Sequence, residues 1–155
     1  VFAPAGSTVN ELIQKCGGII DGHKFKAYLP GGASGGILPS SKGDVPLDFG
    51  GELTKYGCFV GSHAIVILSD KDNLADVALN LISFFKHESC GQCTPCRNGT
   101  EKIINIIKNN SKWDKDLLSD ISEVMANASI CGLGQAASNP ILSVLKFFPK
   151  DVGIK

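Results

Sequence analysis

At 155 residues and 43% apolar side chains, the chain is long enough for one ordinary domain, or two small ones, with a real core. Fifteen Lys and Arg balance fifteen Asp and Glu, which removes the electrostatic reason to expect nucleic acid or an anionic membrane as partner. No apolar run approaches the roughly 18–20 residues of a membrane span; the longest, Ala64 to Leu68, has the length of a strand.

In chain order, "VFAPAGSTVN" (1–10) has neither the charged start nor the long apolar stretch of a secretory signal, and it opens on Val1 rather than Met, as a piece of a longer protein would. "STVNELIQKCGG" (7–18) predicts a short helix. Thr8 and Glu11 stand at capping-box spacing, Val9, Leu12, Ile13 and Cys16 supply an apolar face, and Gly17 can end the helix in a left-handed conformation. "GHKFKAYLPGG" sets Phe25, Ala27 and Leu29 against Lys24, Lys26 and Tyr28, the period-two pattern of a half-buried strand. "PGGASGGILP" (30–39) has the glycines of a phosphate cradle, but a proline and no helical pattern follow it, so it reads as a structural loop, with a second use as a docking surface left open. "AIVIL" (64–68) is a further strand. The first seventy residues carry 13 of the 18 glycines and form a small sheet with one helix.

Beyond "SDKDN" (69–73) the pattern turns helical. "DNLADVALNLISFFKHES" spaces Leu74, Val77, Ala78, Leu81, Ile82 and Phe85 at threes and fours, with Asn73 as cap and Asp76 as its partner. "PCRNGTEKIINIIKNN" and "WDKDLLSDISEVMANAS" give two more helices; "SNPILSVLKFF" gives a fourth, capped by Asn139 with Pro140 at its first position. The expected domains are therefore 1–70 and 71–155, an α+β chain ending in a small helical bundle.

Six cysteines are present, and three of them, Cys90, Cys93 and Cys96, fall within seven residues in "ESCGQCTPCRNGT". Clustering of this kind, beside helices that need no staples, favours thiolate ligands in a reducing, cytoplasmic setting over a disulfide framework. Two-residue gaps let three sulfurs converge. The fourth ligand is Cys131 in "SICGLGQAASNP", where Gly132 and Gly134 let backbone approach a bulky group. Pro95–Cys96 can open a helix whose free N–H groups face the sulfurs, and Arg97 adds positive charge. A C-x₂-C-x₂-C run with a remote fourth cysteine fits a [4Fe–4S] cluster. Tetrahedral zinc, held by the four cysteines or by three with His87, stays open as the alternative, in a non-redox adaptor or a purely structural domain. Cys16 and Cys58 read as small buried hydrophobes, and His23 and His63 as surface or sheet residues. No Ser/His/Asp or Cys/His nucleophile set and no paired catalytic carboxylates stand out.

"ESCGQCTPCRNGT" followed by "SICGLGQAASNP" resembles the C-terminal cluster domain of the NADH-oxidising flavoprotein subunit family: the large flavoprotein subunit of complex I and its relatives in NAD-dependent formate dehydrogenases and NAD-reducing hydrogenases. "LPGGASGGILP" with "LDFGGELTKYGCFVGSHAIVIL" is similar to the β-grasp module of soluble-ligand-binding type that precedes the cluster there, and "GLGQAASNP" is similar to the formate dehydrogenase and hydrogenase branch. The resemblance implies a ubiquitin-like β-grasp domain before a four-helix bundle carrying a [4Fe–4S] cluster on Cys90, Cys93, Cys96 and Cys131. It also implies a parent enzyme whose FMN and NAD(H) sites lie in a domain before Val1, where flavin and nicotinamide exchange a hydride. The cluster would then pass single electrons between flavin and iron–sulfur subunits, with no nucleic acid and no membrane insertion.

Overall fold

The computed structural model describes residues 1–154; Lys155, the last residue of the expected helical domain, lies outside the described residues. The chain divides into two compact units, Val1–Asp72 and a second from Asn73 onward.

In the first unit, helix α1 (Val9–Lys15) begins at a complete capping box. The Glu11 amide donates to the Thr8 hydroxyl and the Thr8 amide to the Glu11 carboxylate, at 3.2 and 2.8 Å. The helix stops where Gly17 and Gly18 both adopt φ of +93°. Strands β1 (Phe25–Leu29), β2 (Leu38–Pro39) and β3 (Val66–Ser69) form an antiparallel sheet in the order β2-β1-β3. A bulge between Phe25 and Ala27 shifts the β1–β3 register, after which Ala27, Tyr28 and Leu29 face Leu68, Ile67 and Val66. The alternation in β1 fails at its end: Tyr28, expected on the exposed face, is fully buried. Its hydroxyl donates to the Lys42 carbonyl at 2.8 Å, so the ring can enter the core with its polar end satisfied. Burial pushes this phenol well above its ordinary pKa.

The glycines of residues 31–36 serve a backbone-on-backbone contact. A Cβ on Gly35 would lie 2.7 Å from the Phe59 carbonyl, and one on Gly61 would lie 2.7 Å from the Gly31 carbonyl. The Ser62 and Phe59 amides donate to the Gly31 and Gly35 carbonyls at 3.0 and 3.2 Å. The loop leads into β2 and a 3₁₀ turn, Ser40–Lys42, with no α-helix at its end.

The second unit contains α2 (Leu74–Glu88), α3 (Thr94–Asn109), α4 (Lys115–Ala128), α5 (Gly132–Ala136) and α6 (Asn139–Phe147), with a 3₁₀ turn at Pro149–Val152. Asn73 caps α2 by accepting from the Ala75 amide at 2.9 Å, and Asp114 caps α4 by accepting from the Leu117 amide at 3.0 Å. α2 packs on α3 and α6, and α4 on α3, α5 and α6. Leu74, Ala78 and Ile82 of α2 meet a core that includes Ile103, Leu118, Met125, Ile141 and Val144, all fully buried. Each large side chain among them contributes about 1.5–3 kcal/mol by leaving water.

Two details depart from expectation. The α6 N-cap is Ser138, with Asn139 already inside the helix and no side-chain cap bond formed. Between Cys131 and Ser138, outside the four helices expected from the sequence, a fifth helix forms.

Candidate metal centre

The end of α2 and the start of α3 are joined by residues 89–93. Gly91 takes a φ of +74°, a left-handed conformation that L side chains rarely adopt. Its amide donates to the Ser89 hydroxyl at 3.2 Å, and its carbonyl accepts from the Arg97 guanidinium. Arg97 also reaches Thr94 Oγ1 at 3.5 Å, so this cation straps the loop to the first turn of α3. Cys93 is the α3 N-cap, extended at φ −96° and ψ 138°, and Pro95 fits the first turn because the N–H it lacks would have no helical acceptor there. Cys96, three residues on, is buried. Its carbonyl accepts from the buried Thr100 hydroxyl at 2.9 Å.

The downstream segment meets this loop. Ser129 caps the end of α4, with its amide donating to the Met125 carbonyl at 3.2 Å and its carbonyl accepting from Gln135 Nε2 at 3.1 Å. Cys131 is the α5 N-cap. α5 packs on both α3 and α4, and Gly134 explains how closely. A Cβ there would come within 2.6 Å of the Ser129 hydroxyl and 2.9 Å of the Cys96 Cβ.

Cys93 carries the electrostatic signature of the site. Its thiol is held below the ordinary thiol pKa, first by the Ile130 amide and then by the Cys96 amide. The Ser129 hydroxyl and the Cys93 amide help less, and desolvation opposes all of them. Amides aimed at a sulfur favour the thiolate, the form that binds metal. The residue whose amide acts most strongly on Cys93 is thus the immediate neighbour of Cys131. Two further hydroxyls complete the surroundings. Ser89 Oγ lies 3.2 Å from Cys96 Sγ. Ser129 Oγ is buried and, among the described residues, has no hydrogen-bond partner.

Of the candidate ligands, Cys96 is buried, Cys93 half-buried, and Cys90 and Cys131 exposed. Among the described residues, no three His, Cys, Asp or Glu side chains are grouped to hold a metal ion. A cube distributes its ligands over separate irons, so its thiolates stand wider apart than those around one ion. The donor chemistry fits such a group: four thiols, amides turned to one sulfur, a buried hydroxyl lacking a partner, and a glycine where a methyl would crowd a ligand.

The other candidates lie apart from these contacts. His87 is exposed in the last turn of α2, with Nδ1 2.9 Å from Glu88 Oε1. His23 Nδ1 meets Ser69 Oγ at 3.0 Å, and His63 stacks edge-on against Phe49. Cys58 is buried as expected, but Cys16 is exposed. It lies on a groove of about 600 Å³ shared with Leu12, Ile13, Ile20, Ile65 and Ile67, because this face of α1 is only partly covered. Sequence reasoning missed Ser89, Ser129 and Ile130. Their signal was only adjacency: each stands one or two residues before a candidate ligand.

A family model described as the NADH-ubiquinone oxidoreductase-F iron-sulfur binding region matches residues 76–154. An NADH-quinone oxidoreductase subunit of Mycobacterium bovis is 38% identical over 151 residues, which cover 94% of this chain and 34% of that protein. An NADP-reducing hydrogenase subunit of Solidesulfovibrio fructosivorans, HndC, is 36% identical over 157 residues, covering 97% and 32%. The chain spans about a third of the length of these curated relatives, which bear the names of oxidoreductase subunits. In fold it is similar to a chain of an NAD+-reducing [NiFe]-hydrogenase crystallised in the H2-reduced state, with a TM-score of 0.82 and 24% identity over 97% of this chain and 26% of that one.

Proposed function

Because the chain belongs to the NADH-ubiquinone oxidoreductase-F iron-sulfur binding family, we propose that its second unit is an electron-relay domain holding a [4Fe–4S] cluster on Cys90, Cys93, Cys96 and Cys131. The observation that carries this reading is the packing of α5 on α3 through Gly134, which brings the remote cysteine's own segment against Cys96. When bound, the cluster supplies one-electron exchange.

The chain's residues have separable tasks. The four thiolates bind. The Ile130 and Cys96 amides favour charge on the Cys93 sulfur. Arg97 fixes the Gly91 turn and brings a cation to the anionic site. Buried Ile103, Ile104 and Met125 keep water from the helical side. Residues 1–70 act as a β-grasp module and 71–155 as the cluster domain. The parent is a cytoplasmic NAD(H)-linked flavoprotein of complex I, hydrogenase or formate dehydrogenase type. Its FMN and NAD sites lie in the part of the relatives that this chain does not span, and its partners are other iron–sulfur subunits.

The test is metal content and spectroscopy on anaerobically purified chain. About four irons and four sulfides per chain are expected, with a brown colour and a paramagnetic signal on reduction. Serine at any of the four cysteines should cut the iron content. A colourless protein with one zinc would instead support the zinc-stapled adaptor.

A further inference from the structure

Two serine hydroxyls stand beside candidate ligands with their protons uncommitted. Ser89 Oγ already accepts from the Gly91 amide at 3.2 Å, and Cys96 Sγ lies 3.2 Å away. With one lone pair engaged by the amide, the hydroxyl proton is free to point at the sulfur. A ligating thiolate has no proton to give, so the bond can run only from serine to sulfur.

Ser129 is the more constrained of the two. It is 6% exposed, and its backbone is committed on both sides, to the Met125 carbonyl and to Gln135. Yet its hydroxyl is buried without a well-formed partner among the described residues. A buried hydroxyl left so bears its full desolvation cost, so its place calls for an acceptor. The surroundings preserve that place, since the absence of a side chain at Gly134 is what keeps the hydroxyl from being displaced.

We infer that Ser89 is a positioning residue that donates a hydrogen bond to the Cys96 sulfur, and Ser129 one that donates to the iron–sulfur group beside Gly134, when the cysteines hold that group, and that both thereby raise its reduction potential. The inference rests on the cluster reading above. A donor aimed at a ligating sulfur stabilises the more negative, reduced form more than the oxidised one. The two hydroxyls reach the group from separate segments, Ser89 before α3 and Ser129 after α4, so their effects should add.

The experiment compares anaerobically purified wild-type chain with Ser129→Ala, Ser89→Ala, the double variant and Ser89→Thr. Iron content and the midpoint potential from paramagnetic-resonance redox titration are read for each. Each alanine variant should keep its iron and lower the equilibrium constant for reduction by roughly threefold to tenfold, the worth of one hydrogen bond. The double variant should show the product of the two, and Ser89→Thr should return towards wild type. Equal potentials in loaded wild type and alanine variants would overturn the inference while leaving the cluster reading intact. If Ser129→Ala fails to load, the Ser89 pair decides alone. A wild-type chain that takes up no iron sinks the cluster reading, and the serine inference falls with it.

Discussion

A methyl group added to Gly134 would press on the Ser129 hydroxyl at 2.6 Å and on the Cys96 Cβ at 2.9 Å. Neither can retreat easily, because Cys96 lies in the first turn of α3 and Ser129 is tied through both its amide and its carbonyl. Gly134→Ala should therefore destabilise the second unit by about 1–3 kcal/mol, the usual cost of overpacking, and lower iron retention with it. Urea unfolding and metal analysis of the same sample would check both. At this scale spacing alone named the cysteines as candidate ligands, and the glycine's freedom was legible from its type. What it accommodates was not, since Ser129 and Cys96 are far apart in sequence and meet only when α5 folds back. Cys16 shows the converse failure. Its helical spacing promised burial, but spacing names a face without saying that anything covers it.

At the scale of elements, the segment entering the second unit shows how local charge fixes a turn. The Asp72 carboxylate accepts from the Ser69 amide at 2.6 Å and from the Ser69 hydroxyl at 2.9 Å, while Asp70 accepts from the Lys24 amide at 2.8 Å. These bonds hold both carboxyls below their ordinary pKa. A carboxylate whose folded pKa is depressed stabilises the fold at pH values above its unfolded pKa, about 3.9, and that contribution is lost as pH falls through the folded value. Asp72→Asn should thus melt below wild type at neutral pH, and the gap should close in strong acid. Parallel thermal melts across that range would reveal it; a constant gap would mean the carboxylate charge is irrelevant to the turn. Elements with complete local instructions were readable, such as α1 with its Thr8–Glu11 box. α5 was not, because five residues with two glycines display no period. The α6 start slipped by one because Ser138 makes no cap bond and the signal at Asn139–Pro140 was the stronger.

At the scale of the molecule, the two units have different sources of order. The first relies on a three-stranded sheet and glycine backbone packing. The second relies on helical apolar faces and, under the proposed reading, on thiolates joined through metal. Binding a ligand only to the folded state adds stability, so removing iron with a chelator under reducing conditions should lower the melting temperature. Amide exchange should quicken most in residues 89–96 and 129–136, and less in the Leu74–Ile82 stretch of α2. Uniform exchange before and after chelation would argue against metal as the tie. The α+β class was readable because composition changes sharply near Asp72, whereas the contact of α5 with α3 depends on long-range packing. One further result follows from the five residues between α2 and α3. Ser89 ends one helix, Gly91 turns left-handed under the Arg97 strap, and Cys93 begins the next. Each position already has a conformational duty, so the segment has no slack to absorb an insertion. One extra residue between Cys93 and Cys96 would rotate everything after it by about 100° about the α3 axis. Cys96 would swing off its seat beside Gly134, and the Ile103–Ile107 stripe would leave the core in the same movement. The spacing of the thiols and the phase of the hydrophobic face are one constraint, so an added residue at the start of α3 would be felt as misfolding before it was felt as lost chemistry.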